Sequence, residues 1–190
     1  SHIFSLMQTS DEFGIFTDQI SFDYGKMQKY KEKSVITYRE EIQRMFEEKQ
    51  IDFIQGKGIL RRDRTVEIHG SSGKEYCQGK YVLLATGAKA SVPDIPGADL
   101  PGVVISDKIL NGKEWNYNRI VIIGGGVIGV EMATIFNNLC SQVTIVERNH
   151  HLLGPMDHQV ALELEEDLKR KGIGIYCSAF QISISKEESL

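Results

Sequence analysis

The chain of 190 residues has no apolar run that approaches the ~18 residues of a membrane-spanning helix. Its first residues lack the basic start and apolar stretch of a secretory leader. Nor is there a basic stripe: 22 Lys and Arg are interspersed with 26 Asp and Glu, for a formal net charge of -4. Neither a membrane partner nor a nucleic-acid partner is therefore expected. Cysteine is scarce. Cys77, Cys140 and Cys177 are odd in number and far apart, which suits neither a disulfide framework nor a zinc site. Three free thiols in a reducing, cytoplasmic setting are the expectation, with no metal site. There is no internal repeat and no low-complexity tract. The apolar fraction, 41%, lies a little below the globular average yet far from a disordered composition.

The hydrophobic rhythm changes along the chain. Residues 1–10, "SHIFSLMQTS", read as the end of a helix with Ile3, Phe4, Leu6 and Met7 on one face. A long polar helix is expected from about Tyr24 to Lys49, capped by Asp23. "IDFIQGKGIL", "TVEIHG" and "SSGKEYCQGK" then read as three short strands joined by tight turns, a β-meander. "KYVLLATGA" is a continuous apolar run, as in a strand covered on both faces. A loop marked by Pro and Gly and a short helix lead to a domain boundary near Glu114. Beyond it the rhythm is βαβαβ. Strands are expected at 120–123, 142–146, 174–177 and 181–185. Helices are expected at 127–139, with Ile128, Met132 and Phe136 on one face, and at 159–171, with Val160, Leu162, Leu164 and Leu168 apolar. Strands alternating with helices argue a parallel α/β sheet.

Within that unit "RIVIIGGGVIGVEMATIF" carries the chemistry. Gly124, Gly126 and Gly129 fit G-x-G-x-x-G after an apolar strand and at the opening of a helix. The first glycine permits the tight turn, the second lets the backbone approach a pyrophosphate, and the third brings helix close to strand. Unpaired N–H groups at the helix start suit phosphates. Glu147 ends the next strand about 20 residues on, where a carboxylate binds the adenosine ribose 2′-OH. It would repel a 2′-phosphate, so NAD is expected over NADP; Arg148 reads as a solvated surface charge.

These residues resemble a known family. "IVIIGGGVIGVEMATIFNNLCSQVTIVERNHHLL" is similar to the NAD-binding domain of the pyridine nucleotide-disulfide oxidoreductases, most of all its lipoamide dehydrogenase branch. "YVLLATGAKASVPDIPG" resembles the family's second FAD motif. "FDYGKMQKYKEKSV" followed by "DFIQGKGIL" resembles the segment before it. The resemblance implies an α/β fold in which a Rossmann-like NAD-binding βαβαβ unit is inserted after part of an FAD-binding domain with a β-meander. Residues 1–114 would be the partial FAD-binding domain and 115–190 an NAD-binding domain incomplete at its C-terminus. It also explains why the glycine turn comes so late.

By the same resemblance, Gly58 meets the FAD adenine, and Thr86 and Gly87 approach the FAD with Ala85 and Ala88 beside them. Gly124, Gly125, Gly126, Val127, Ile128, Gly129, Val130 and Glu131 line the NAD, with Glu131 near the nicotinamide. Phe180 makes a backbone contact to the NAD adenine. Val127, where glutathione reductases tend to carry a tyrosine, favours the lipoamide branch.

The implied activity is hydride exchange between NAD(H) and FAD, coupled to a dithiol that is most simply dihydrolipoamide or a lipoyl-bearing protein, in a homodimeric parent. An NADH oxidase, a mercuric or glutathione-type reductase, or a non-catalytic NAD-binding fragment are the alternatives. The family's CxxxxC pair, its first FAD glycine motif and its dimerisation domain have no counterpart here. The chain is accordingly expected to be an internal fragment without catalytic residues, unable by itself to oxidise dihydrolipoamide. His2, His69, His150, His151 and His158 match no catalytic motif. Cys140 stands where the family has a helix-closing glycine, and a left-handed cysteine there would cost roughly 1 kcal/mol.

Overall fold

The structure is a computed structural model that describes residues 2–16, 20–112 and 117–186. The expected boundary near Glu114 lies outside the described residues. Two compact units form, one from residues 1–28 and 90–190, the other from 29–89.

The larger unit is built on β4 (Arg119–Ile123), α4 (Val127–Asn138), β5 (Gln142–Val146), α5 (His158–Arg170) and β6 (Gly174–Tyr176). The three strands are parallel in the order β4-β5-β6, with Ile122 opposite Ile145 and Ile145 opposite Ile175. Runs such as Arg119–Ile123 are rich in β-branched residues and fit a pleated surface between helices. Preceding elements of this unit are α1 (His2–Gln8) and, after the loop from residue 90, the one-turn α3 (Ser106–Leu110).

One core runs through the sheet and its helices. Val130, Ala133 and Phe136 come from α4, Val143 and Ile145 from β5, Ala161 and Leu168 from α5, and Leu152 and Leu153 from the β5–α5 loop. The inner face of α4 agrees in part with the expected one. Phe136 is buried and Met132 packs partly buried against the core, but Ile128 is 59% exposed and Val130 and Ala133 point inward instead. On α5, Val160 is 60% exposed, and the inward row is Ala161, Glu165 and Leu168. The expected strand at 181–185 is absent: its backbone joins no ladder, and the Ile184 N–H instead donates to the Pro96 carbonyl at 2.8 Å.

The two long helices of this unit end alike. In α5 the Gly172 N–H bonds the Lys169 carbonyl and the Ile173 N–H that of Leu168, with Gly172 at φ 85°. In α4 the Cys140 N–H bonds Asn137 and the Ser141 N–H bonds Phe136, with Cys140 at φ 65°. Both are Schellman closures, which favour glycine at the left-handed position. At its start α5 is capped by Asp157, whose Oδ1 accepts the Gln159 and Val160 N–H groups at 2.9 and 3.2 Å.

The smaller unit holds most of α2 (Tyr24–Glu48) and a meander of β1 (Lys57–Leu60), β2 (Thr65–Gly70) and β3 (Gly73–Gln78). All pairings are antiparallel, with Gly58 opposite Ile68 and Gly70 opposite Gly73 across the Ser71–Ser72 turn. Asp23 caps α2 as expected, its Oδ1 accepting the Lys26 N–H at 3.0 Å. No residue of α2 is buried.

"KYVLLATGA" does not form the expected strand: the segment is irregular and Leu83 is 90% exposed. A strand exists only through ladder partners, and the meander closes on its own three strands.

Glu67 organises the meander. Its buried carboxylate is gripped by the Arg61 guanidinium, by His69 Nε2 at 2.6 Å and by Lys74 Nζ at 3.2 Å. Arg61 first, then His69 and Lys74, hold the Glu67 carboxyl down from 4.5 to about 2. Its folded-state value is depressed, so its contribution is complete above 4.5 and is lost as pH falls through about 2. The difference in thermal stability between the wild type and Glu67→Gln should therefore shrink on acidification across that window. A difference that stays constant in melts from pH 6 to 2 would show that the charge network does not act.

Cys140→Gly should raise stability by about 1 kcal/mol by relieving the left-handed strain. Chemical denaturation checks this, and an unchanged or lower midpoint counts against it.

Candidate dinucleotide site

The end of β4 turns sharply. Gly124, at φ 107°, donates its N–H to the Val146 carbonyl at 2.9 Å, so the turn is tied to the end of β5. Gly126 caps α4 with extended backbone and no side-chain hydrogen bond, and the first intrahelical bond runs from the Val130 N–H to the Gly126 carbonyl at 3.0 Å. The first-turn N–H groups of α4 are thus left without a side-chain cap, the arrangement that receives phosphate.

Each glycine of the turn has a separate physical reason. A Cβ on Gly129 would overlap the Gly124 carbonyl, so the helix approaches the strand only because this residue has none. A Cβ on Gly125 would overlap the Leu152 side chain and crowd Glu147. Off Gly126 there is open space. That is what a backbone surface meant for a pyrophosphate requires, and the residues present fit a dinucleotide.

Glu147 lies just past the end of β5 and is 7% exposed. Its Oε2 accepts the Gly125 N–H at 2.5 Å and its Oε1 the Asn149 N–H at 2.7 Å. The carboxylate therefore orders both the glycine turn and the start of the β5–α5 loop. Each oxygen retains a lone pair for a ribose hydroxyl.

Of the other expected residues of this unit, Val127 and Ile128 are exposed and, with Gly124, Gly126 and Gly129, border an open cleft of ≈ 1240 Å³. Its remaining walls come chiefly from the loop 90–106, from β4 and from the stretch 182–185, and Met132 and Phe136 of α4 also line it. Val130 points into the core. Glu131 is exposed on the second turn of α4. Phe180 packs edge-on against His150, 6.3 Å between ring centres, beside a smaller hollow formed by residues 149–151, 154 and 155.

The residues expected at the flavin fall in the other unit. Gly58 is on β1, and Ala85, Thr86, Gly87 and Ala88 lie on the irregular exposed segment, with Gly87 at φ 72°. Sequence reasoning missed Glu165, whose buried carboxylate accepts the Leu152 N–H at 2.7 Å. Its place between Ala161 and Leu168 on the inward row of α5 emerges only from the packing of that helix.

A parallel βαβαβ unit with a glycine turn leading into its first helix, and a buried carboxylate after its second strand, defines a Rossmann-type α/β protein. Comparison with known proteins names the family. A model described as pyridine nucleotide-disulphide oxidoreductase matches residues 6–189, and the chain belongs to that family. It is 36% identical over 183 residues to a dihydrolipoyl dehydrogenase of Acholeplasma laidlawii, covering 93% of this chain and 53% of the relative. It is 30% identical over 167 residues to a mercuric reductase of Bacillus cereus, covering 87% of this chain and 26% of the relative.

Among solved structures, the HOCl-induced flavoprotein disulfide reductase RclA of Escherichia coli, a mutant in complex with Cu(II), superposes with a TM-score of 0.68 at 28% identity. That match covers 96% of this chain and 40% of the other. The chain thus spans about half or less of the length of the proteins it matches. The family implies FAD and a pyridine nucleotide as cofactors. Among the described residues no helix is long and apolar enough to cross a membrane, and no cluster of side chains could hold a metal ion.

Gly129→Ala should destabilise the larger unit by about 1–3 kcal/mol, since the added methyl must push α4 off β4. Denaturant titration followed by circular dichroism reads this. A wild-type midpoint would mean that helix and strand are not in the close contact described.

Proposed function

We propose that this chain is part of a flavoprotein disulfide oxidoreductase in which a hydride passes between NAD(H) and FAD and is coupled to a dithiol, dihydrolipoamide foremost. Residues 115–190 form the NAD-binding portion and 1–114 part of the FAD-binding portion, in a cytoplasmic and homodimeric parent. The observation that carries the reading is Glu147, a buried carboxylate bonded to the glycine turn where an adenosine ribose would sit. A 2′-phosphate brought against it would meet a fixed negative charge, which favours NAD over NADP.

When bound, the nicotinamide and flavin supply the hydride chemistry; the chain's part is to hold and orient them. Backbone N–H groups at the start of α4 receive the pyrophosphate across the open face of Gly126. Glu147 would accept hydrogen bonds from the ribose hydroxyls, and the backbone at Phe180 would meet the adenine. Glu131 and Val127 would lie near the nicotinamide, and Ile128 would line the nucleotide beside them. Gly58 and Ala85, Thr86, Gly87 and Ala88 are the flavin-contacting residues of the other portion.

The identity to a dihydrolipoyl dehydrogenase supports the lipoyl substrate. The similarity to a mercuric reductase supports a second reading, in which the same cofactor relay serves a different acceptor.

Fluorescence titration of the purified chain should show NADH binding at least about tenfold tighter than NADPH, about 1.4 kcal/mol. Gly126→Ala should weaken NADH by about tenfold while leaving the melting temperature unchanged, because its methyl enters open space on the ligand side. Equal affinity for both nucleotides would remove the role given to Glu147. Absence of binding by either would remove the dinucleotide reading of this chain.

A further inference from the structure

One buried carboxylate has no part in the reading above. Glu165 lies on the inward row of α5 and is 6% exposed. Its Oε1 accepts the Leu152 N–H at 2.7 Å, and the Cys177 thiol lies 4.0 Å from the same oxygen. Its Oε2 is 3.6 Å from Lys169 Nζ one turn further along the helix. Burial, with the charges of Glu165 and Glu147, pushes the Cys177 thiol up, so it faces Glu165 as a neutral group.

The residue that Glu165 holds leads directly to the glycine turn. Leu152 is fully buried, and its side chain fills the space against Gly125. Leu153, held at φ 52°, donates its N–H to the Gly125 carbonyl at 2.8 Å. Glu147 takes the Gly125 N–H from the other side. Both polar groups of Gly125 are therefore fixed, one by Glu147 and the other by a two-residue segment anchored on Glu165.

From this geometry we infer that Glu165 is a positioning residue for the dinucleotide site, acting through Leu152 and Leu153 on the glycine turn. The inference rests on the nucleotide-binding reading of that turn. Its physical basis is preorganisation: a turn already held in its binding shape loses less conformational freedom when a phosphate arrives. What the segment needs is a buried acceptor on α5, and a carboxylate supplies it with a shorter, stronger bond than a neutral group. Glu165 touches no ligand and takes no part in hydride transfer.

Three variants and two readouts test it. Glu165→Leu removes the acceptor and should weaken NADH binding by about tenfold, whereas Glu165→Gln, whose amide oxygen still accepts the Leu152 N–H, should stay within about threefold of wild type. Glu165→Asp keeps the charge but is one methylene shorter, and it serves if the leucine variant fails to fold; it should weaken NADH by about fivefold.

The second readout is amide hydrogen exchange without nucleotide. In the leucine or aspartate variant the Leu152 and Leu153 amides should exchange about tenfold faster, while those of Val143 and Ile145 in β5 keep their protection. Unchanged exchange at Leu152 and Leu153 overturns the inference. So does wild-type NADH affinity in the aspartate variant when the wild type itself binds. If the wild type binds neither NADH nor NADPH, the function proposed above fails on its own, and exchange alone decides whether Glu165 sets the turn.

Discussion

Between the Gly125 N–H and Glu147 Oε2 runs a 2.5 Å hydrogen bond from a backbone donor to a buried charge. Bonds of this kind contribute about 1.5–3 kcal/mol each, and losing one leaves the buried partner unsatisfied. This bond joins the ends of two parallel strands by a route other than their ladder. It holds the turn closed against β5 and aims the first N–H groups of α4 outward. The second carboxylate oxygen, on the Asn149 N–H, begins the loop that brings Leu152 and Leu153 back under the same turn. The glycine turn thus depends on contacts from far along the chain as much as on its own composition.

Those contacts impose unusual backbone. Gly124 adopts a positive φ, as do the non-glycine residues Leu153 and Cys140. A left-handed conformation costs a residue with a Cβ roughly 1 kcal/mol, and it persists only where surrounding structure over-determines it. At Leu153 that structure is the bond to the Gly125 carbonyl and burial of the side chain. At Cys140 it is the Schellman closure of α4, with Gln8 Nε2 3.3 Å from the sulfur. Strain near the site is offset by polar contacts out of water, and strain at the far end of α4 by helix closure.

The smaller unit has a different balance. Its buried residues are Glu67 and Ile68, and the polar grip on Glu67 takes the place of an extensive core. The apolar run after β3 is left in water, with Tyr81 and Leu84 exposed beside Leu83. An apolar segment without ladder partners shows what the segment is suited to rather than a stable resting place. The proteins this chain matches are about twice its length or more.

Much of the larger unit was legible in the sequence, because its signals are local. β-branched runs, the glycine spacing and the apolar periodicity of the two helices each act within a few residues, and they defined β4, α4, β5 and α5 nearly to their ends. The left-handed backbone at Cys140 was legible only through the family resemblance, which has a helix-closing glycine at that position. The meander followed from its turns.

What depended on partners distant in sequence was not legible. "KYVLLATGA" and residues 181–185 have strand composition, but a strand is made by its neighbour, and the described chain supplies none. Met132 and Phe136 of α4 and Leu164 and Leu168 of α5 do pack on the core, but Ile128, Val160 and Leu162 are exposed, because apolar spacing gives the period of a helix and its contact with the sheet selects which apolar residues are covered. Glu165 drew no notice among the several acids of α5. Only the tertiary fold, by placing the Leu152 N–H against the inner face of α5, turned it into a buried anchor.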